Sequence, residues 1–214
     1  MKNKRLQWAR AHKQVSIEQW KQVLFTDESH FLVQGQQSQF IRRSIGASVN
    51  SAHFNQTVKH SQKVMIWACF SYDGPGRLQV CEKMMNSDCY IEIIDHRILP
   101  QLRETFANGG STLQHDLALC HTSKKVKEHL LKRDIQVLPW PGNSPDIAPI
   151  KNLFAIVKNK LRQKDTTTKQ KLIRAILDIW NGDPSIAETC KSLVNSMPSR
   201  VDQVIKARGG HINY

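Results

Sequence analysis

The sequence predicts an α/β domain, one mixed sheet with helices packed on its faces. Two observations carry that expectation. Strand-like segments come first, at 23–25, 30–34, 62–71 and 76–82, and helix and strand patterns alternate from residue 87 onward. A meander of strands followed by alternation builds a single mixed sheet rather than separate all-β and all-α parts. The length of 214 residues and a hydrophobic content of 40% suffice for a sizeable core.

Each element has a local reason. A helical lead-in over about 4–21 carries Trp8 and Trp20. Val23, Leu24 and Phe25 form a short two-sided apolar run, as in a buried central strand, and Asp27 and Glu28 follow it. "HFLVQ" reads as the next strand and "QKVMIWACFS" as a third, with "YDGPG" a turn by composition and "GRLQVCE" one more short strand. From Ser87 to Phe106, Tyr90, Ile91, Ile94, Ile98, Leu102 and Phe106 recur at helical spacing. "GGSTLQHDLAL" reads as a glycine break and a strand, the fourth, that carries an acid at Asp116. In "HTSKKVKEHLLKRD" Thr122 or Ser123 caps a helix, with Val126, Leu130 and Leu131 facing inward. "IQVLPW" is the last strand. Pro139, Pro141, Pro145 and Pro149 then stiffen the approach to a helix whose stripe is Ile150, Leu153, Phe154, Val157 and Leu161. Shorter helices follow the basic, threonine-rich "RQKDTTTKQK". They carry Leu172, Ile176, Ile179 and Trp180, then Leu193 and Val194, then Val201, Val204 and Ile205.

Charge is the unusual feature of the composition. Thirty-one Lys and Arg against eighteen Asp and Glu give +13, which favours a polyanionic partner, nucleic acid first and an anionic membrane surface second. No apolar run approaches the ~18 residues of a membrane span, so a membrane partner is not expected. The five cysteines, at 69, 81, 89, 120 and 190, form no Cys-x-x-Cys pair, which argues against a zinc ribbon and a secreted disulfide framework. Reduced, mostly buried thiols in a cytoplasmic or nuclear protein are expected.

Asp27 and Asp116 are strand-borne carboxylates, and such groups need a cation, a metal or hydrogen bonds when buried. Two of them meeting at mid-sheet suit Mg²⁺, a hard ion with oxygen ligands. Read alone, the two residues favour a plainer role, Asp27 capping a strand end and Asp116 beginning a turn. His121 after its strand is as readily a cap or core histidine as a site residue.

"LFTDES", "HDLALCHTS" and "WPGNSPDIAPIKNLF", in this order and spacing, resemble the catalytic core of mariner-like DDE transposases, in particular the nematode Tc branch. "QWKQVLFTDES", "VKHSQKVMIWACFS" and "SMPSRVDQVIKARGGHINY" extend the resemblance from about residue 5 to Tyr214. It implies a ribonuclease-H-like fold with a mixed five-stranded sheet flanked by helices and short C-terminal helices. The expected parts are a basic linker helix region over 1–21, the catalytic core over 22–165 and a helical extension over 166–214. It also implies strand cleavage and strand transfer on DNA with Mg²⁺ or Mn²⁺ held by three acids, in the nucleus, by a protein that forms a homodimer. Asp27 matches the first acid and Asp116 the second. The third, a glutamate in the last core helix, follows after 34 intervening residues, and counting 117–150 here lands on Lys151.

That substitution keeps the place and reverses the sign. A unit charge at ~4 Å with an effective dielectric of about 20 is worth roughly 4 kcal/mol, so repulsion of a dication at this position is severe. The expectation is a catalytic domain with weakened or lost metal binding and crippled cleavage. The alternative is a non-enzymatic, non-specific DNA-binding relic. His115 and Leu117 stand where the family has glutamine and asparagine and so alter the surroundings of the acids, whereas His121 matches a family histidine whose imidazole is expected to face the metals or the scissile phosphate. Phosphate contacts are expected from Lys2, Lys4, Arg5, Arg10 and Lys13, from Arg42 and Arg43, and from Lys124, Lys125 and Lys127. Further candidates are Lys158, Lys160, Arg162 and Lys164, then Arg200, Lys206 and Arg208. The family's helix-turn-helix modules have no counterpart in this sequence, so specific recognition of transposon ends is not expected.

Overall fold

The computed structural model describes residues 1–33, 62–107 and 109–213. Its sheet has four strands, β1 (Val23–Leu32), β2 (Lys63–Ser71), β3 (Gly74–Cys81) and β4 (Thr112–Gln114), in the order β3-β2-β1-β4. β1 runs antiparallel to β2 and parallel to β4, and β2 is antiparallel to β3. The mixed sheet is as expected, but it has four strands among the described residues rather than five. "IQVLPW" makes only a parallel bridge, Val137 to Leu113, with Leu113 N–H donating to Gln136 O and Leu138 N–H to Leu113 O, both at 2.8 Å. β4 is three residues long and offers no further edge to extend that pairing.

A second correction concerns β1. The segments around Leu24 and Phe31 form one continuous strand, and Asp27 lies in its middle. Phe25 through Leu32 each face a partner on β2, Asp27 opposite Ala68 and Glu28 opposite Trp67. The two carboxylates do not end the strand because each finds a cation, as shown below.

Side-chain alternation along β1 divides the core in two. Val23, Phe25 and Phe31 face one layer with Trp8, Trp20, Phe70, Trp140, Phe154 and Trp180, while Leu24 faces the other with Trp67, Tyr90, Ile94, Ile98, Leu113 and Val126. The first layer is supplied by α1 (Lys2–Ala11), α2 (Ile17–Lys21) and, at the C-terminal end, α7 (Pro149–Leu161), α8 (Lys169–Gly182), α9 (Pro184–Asn195) and α10 (Met197–Lys206). The second is covered by α3 (Ser87–Ile93), α4 (Leu99–Thr105) and α6 (Lys124–Lys132), with the single turn α5 (Leu119–Thr122) between β4 and α6. α3 and α4 are joined through a π turn at Ile94–Ile98. It lies just before Pro100, which lacks an N–H and whose ring excludes the α-helical bond to His96. Leu131, expected to face inward from α6, is 81% exposed, because Val126 and Leu130 already occupy the buried stripe.

α7 opens as its prolines dictate. Ala148, extended as residues before proline are, leads into Pro149 at the first helical position, and Lys151 N–H donates to Ala148 O at 3.1 Å. α1 seals the opposite side of the same segment. Trp8 Nε1 donates to Pro139 O at 2.5 Å and its ring meets Trp140 edge-on at 5.0 Å. The chain end reaches α1 through Gly209 (φ +79°), where a Cβ would overlap the Lys2 carbonyl oxygen, so only glycine fits.

Candidate active site

β1, β4 and the first turn of α7 bring Asp27, Asp116 and Lys151 to one cleft of about 350 Å³, which Gln114, Leu117, Trp140 and Ser144 also line. Asp27 is 6% exposed, and its Oδ2 lies 2.6 Å from Lys151 Nζ, whose side chain is 40% exposed. Its other oxygen accepts from Glu28 N–H at 2.7 Å. Burial raises the Asp27 carboxyl to about 6 despite the opposing pull of Lys151.

Asp116 is the open acid, with its side chain 46% exposed. Its Oδ1 accepts from Ala118 N–H at 2.9 Å and from His121 Nδ1–H at 2.8 Å, and the His121 bond is the chief cause holding its carboxyl below the usual range. His121 also approaches Glu28 Oε1 at 3.4 Å through Nε2. Burial opposes its charge, but the two carboxylates together raise it to about 10, so it is an imidazolium at neutral pH. His115 stacks parallel to it at 5.2 Å and shares a 2.8 Å hydrogen bond with the Tyr90 hydroxyl. Burial first, and the His121 charge second, lower His115 to about 4, which keeps it neutral.

The network makes stability depend on pH through His121. Its proton is bound more tightly in the folded chain, about 10 against the ordinary histidine value of 6.5, so its contribution is complete below 6.5 and is lost as pH rises through 10. The urea midpoint of the wild-type chain is expected to fall across that window, and His121→Gln to flatten the fall. Parallel profiles for the two chains would contradict the imidazolium assignment.

The central strand of the sheet carries Asp27, and the first turn of α7 carries Lys151. Asp116, expected within a strand, lies two residues beyond the end of the parallel neighbour β4, where Ala118 N–H and His121 fix its carboxylate. That arrangement is a ribonuclease-H-like domain with two carboxylates and a lysine at its cleft. The chain belongs to the DDE superfamily endonuclease family, whose profile matches residues 22–173. It is 32% identical over 213 residues to the transposable element Tcb2 transposase of Caenorhabditis briggsae, covering 98% of this chain and 77% of that protein. Identity to the transposable element Tc1 transposase of Caenorhabditis elegans is 28% over 212 residues, with the same two coverages, 98% and 77%. Among solved structures, the Mos1 transposase paired-end complex with left transposon end superposes with a TM-score of 0.85 at 16% identity, covering 99% of this chain. The chain spans 63% of the Mos1 chain in that complex. The Mos1 transposase catalytic domain, solved with Raltegravir and Mn, matches with a TM-score of 0.75 at 17% identity over 99% of this chain and 96% of that one. The fold is therefore that of a transposase catalytic domain.

The residues present do not fit a two-metal centre. Two carboxylates face the cleft, one of them already holds an ammonium, and the other spends one oxygen on an imidazolium and a backbone N–H. Among the described residues, no three His, Cys, Asp or Glu side chains form a metal-binding set. Asp146, the nearest spare acid, supplies no replacement. It is buried and takes a two-pronged bond from Arg5 at 2.8 and 2.6 Å, with a further bond from Ile212 N–H at 3.0 Å.

The cations divide sharply. Arg5 is removed from the phosphate-binding set, being 5% exposed and committed to Asp146 and to Gly209 O and Gly210 O. Arg200 is buried too, bonding Asp146 O and Asn152 Oδ1. Lys2, Lys4, Arg10 and Lys13 are exposed on and just after α1, and Lys124, Lys125 and Lys127 on α6, where Lys125 is paired with Asp88. Lys160 is paired with Asp183 at 2.8 Å, whereas Lys158 donates to Ser29 Oγ and Arg162 is exposed. Arg42 and Arg43 lie outside the described residues. The five cysteines are free thiols, with Cys69 and Cys190 buried and the other three half-buried.

Sequence reasoning missed Glu28, Tyr90 and the role of Asp146. Glu28 had one legible signal: strand alternation puts it on the face opposite Asp27, the face to which His121 returns. No helix of the described residues is long and apolar enough to cross a membrane.

Proposed function

We propose that this chain is the catalytic domain of a mariner-like transposase that binds DNA in the nucleus through phosphate contacts and does not cut it efficiently. The 2.6 Å ion pair between Lys151 and Asp27 carries this reading. It neutralises the first acid from within and supplies a cation where the resemblance calls for a metal ligand. Repulsion between the ammonium and an incoming dication, together with the missing carboxylate, opposes loading of the site. The net charge of +13 and the exposed lysines of α6 support affinity for a DNA backbone.

The test is strand cleavage. Supercoiled plasmid incubated with the purified chain and Mg²⁺ or Mn²⁺ is expected to stay supercoiled at the level of a protein-free control. Robust metal-dependent nicking would overturn the proposal. Retardation of random-sequence duplex that weakens steeply with salt is expected of the same preparation.

A further inference from the structure

α7 carries a second polar feature that the acid cleft does not use. Lys151, Ala155, Lys158 and Arg162 lie along one stripe of this helix, at the spacing that keeps residues on one face. Two turns beyond Lys151, at the far end of β1, a cavity of about 310 Å³ opens between strand and helix. His30, Phe31, Lys158, Asn159 and Arg162 line it with Leu32, Ala155 and Leu161, and no carboxylate does.

Lys158 is held in place without being neutralised. Its Nζ donates to Ser29 Oγ at 2.8 Å and sits 5.1 Å from the centre of the Phe31 ring. Among the described residues it has no carboxylate partner, and neither has Arg162, whereas Lys160 between them is paired with Asp183. The stretch 34–61 that follows β1 contains no Asp or Glu to supply one. Burial first, and the nearby Lys151 charge second, lower the Lys158 ammonium, the expected behaviour of a cation lacking a counter-ion. A half-buried ammonium, held by Ser29 and without a carboxylate partner, in one cavity with a guanidinium and an imidazole is suited to an oxyanion, and arginine adds two-pronged geometry.

We propose that Lys158 and Arg162 form a backbone-phosphate subsite for the DNA strand that crosses the acid cleft, rather than part of a diffuse basic surface. The idea rests on the DNA-binding function proposed above. The spacing suits it: the seven residues from Lys151 to Lys158 span about 10 Å along the helix, which puts the acid cleft and the subsite within reach of nearby phosphates of one strand. The subsite needs no metal, so it anchors DNA whether or not the acid cleft is loaded.

Fluorescence anisotropy of a random-sequence duplex, titrated with the full chain over a salt series, tests the subsite. Lys158→Gln and Arg162→Gln are each expected to weaken binding several-fold at fixed salt and to reduce the slope of log K against log salt by about one. Lys160→Gln, which removes a cation already paired, is expected to change affinity less than twofold and leave the slope alone. Arg162 is exposed, so its variant reports on binding even if Lys158→Gln perturbs packing. Wild-type slope and affinity in Arg162→Gln would overturn the subsite while leaving DNA binding intact, and equal losses in all three variants would reduce it to diffuse charge. No binding by the wild-type chain would overturn both this proposal and the DNA-binding function.

Discussion

Lys151→Glu is expected to turn a metal-indifferent chain into a metal-dependent one. Without metal, the variant loses the ammonium that compensates the buried Asp27 and gains a carboxylate beside it. Because the Lys151 side chain is 40% exposed, solvent screening brings the cost below that of a fully buried pair, to about 1–3 kcal/mol. At about 2–4 °C per kcal/mol for a chain of this size, melting is expected to drop by roughly 5 °C in EDTA. Part of the loss is offset locally, because a carboxylate in the first turn of α7 suits the positive end of the helix and a lysine does not. Mn²⁺ at a hundredfold excess over its dissociation constant restores about 2.7 kcal/mol. The checks are melting curves in EDTA and in Mn²⁺ for both chains, and plasmid nicking by the variant. Identical Mn²⁺ responses would show that position 151 does not decide metal binding.

Asp146→Ala is expected to loosen both ends of the chain at once. Asp146 holds Arg5 of α1, receives Ile212 N–H from the chain terminus and lies 3.1 Å from His211 Nδ1. Removing it strands a buried guanidinium and a buried backbone donor, a loss of about 3–5 kcal/mol, or roughly 10 °C in melting. Hydrogen exchange is expected to accelerate in α1 and in residues 207–213 while β1 and β2 stay protected, since the sheet shares no hydrogen bond with this knot. A melting change under about 2 °C would show that the knot is solvent-relaxed and contributes little.

These two residues also show how far a sequence can be read. The position of Lys151 was legible because a count from Asp116 along a motif placed it, and the site gathered around it as that count implied. Asp146 lies five residues earlier in the same motif and gave no such signal. Its partners come from residues 5 and 212, and no local pattern reports a pairing across the whole chain. Arg5 was misjudged for the same reason: a basic helix at a chain end looks like a phosphate contact until its partner is known. Lys158, Lys160 and Arg162 form one basic run in sequence, yet Asp183 neutralises only the middle one.

The sequence by itself determined the sheet-and-helix order, the two-sided burial of the central strand and the inverted sign at position 151, because side-chain periodicity and motif spacing are local properties. Only the tertiary structure decided that β1 runs unbroken through its acids, that His121 and Lys151 compensate them, and which cations remain unpaired. The physical reason is that a charge is tolerated or exposed according to its neighbours in space, and those neighbours are set by chain closure over long separations rather than by adjacent residues.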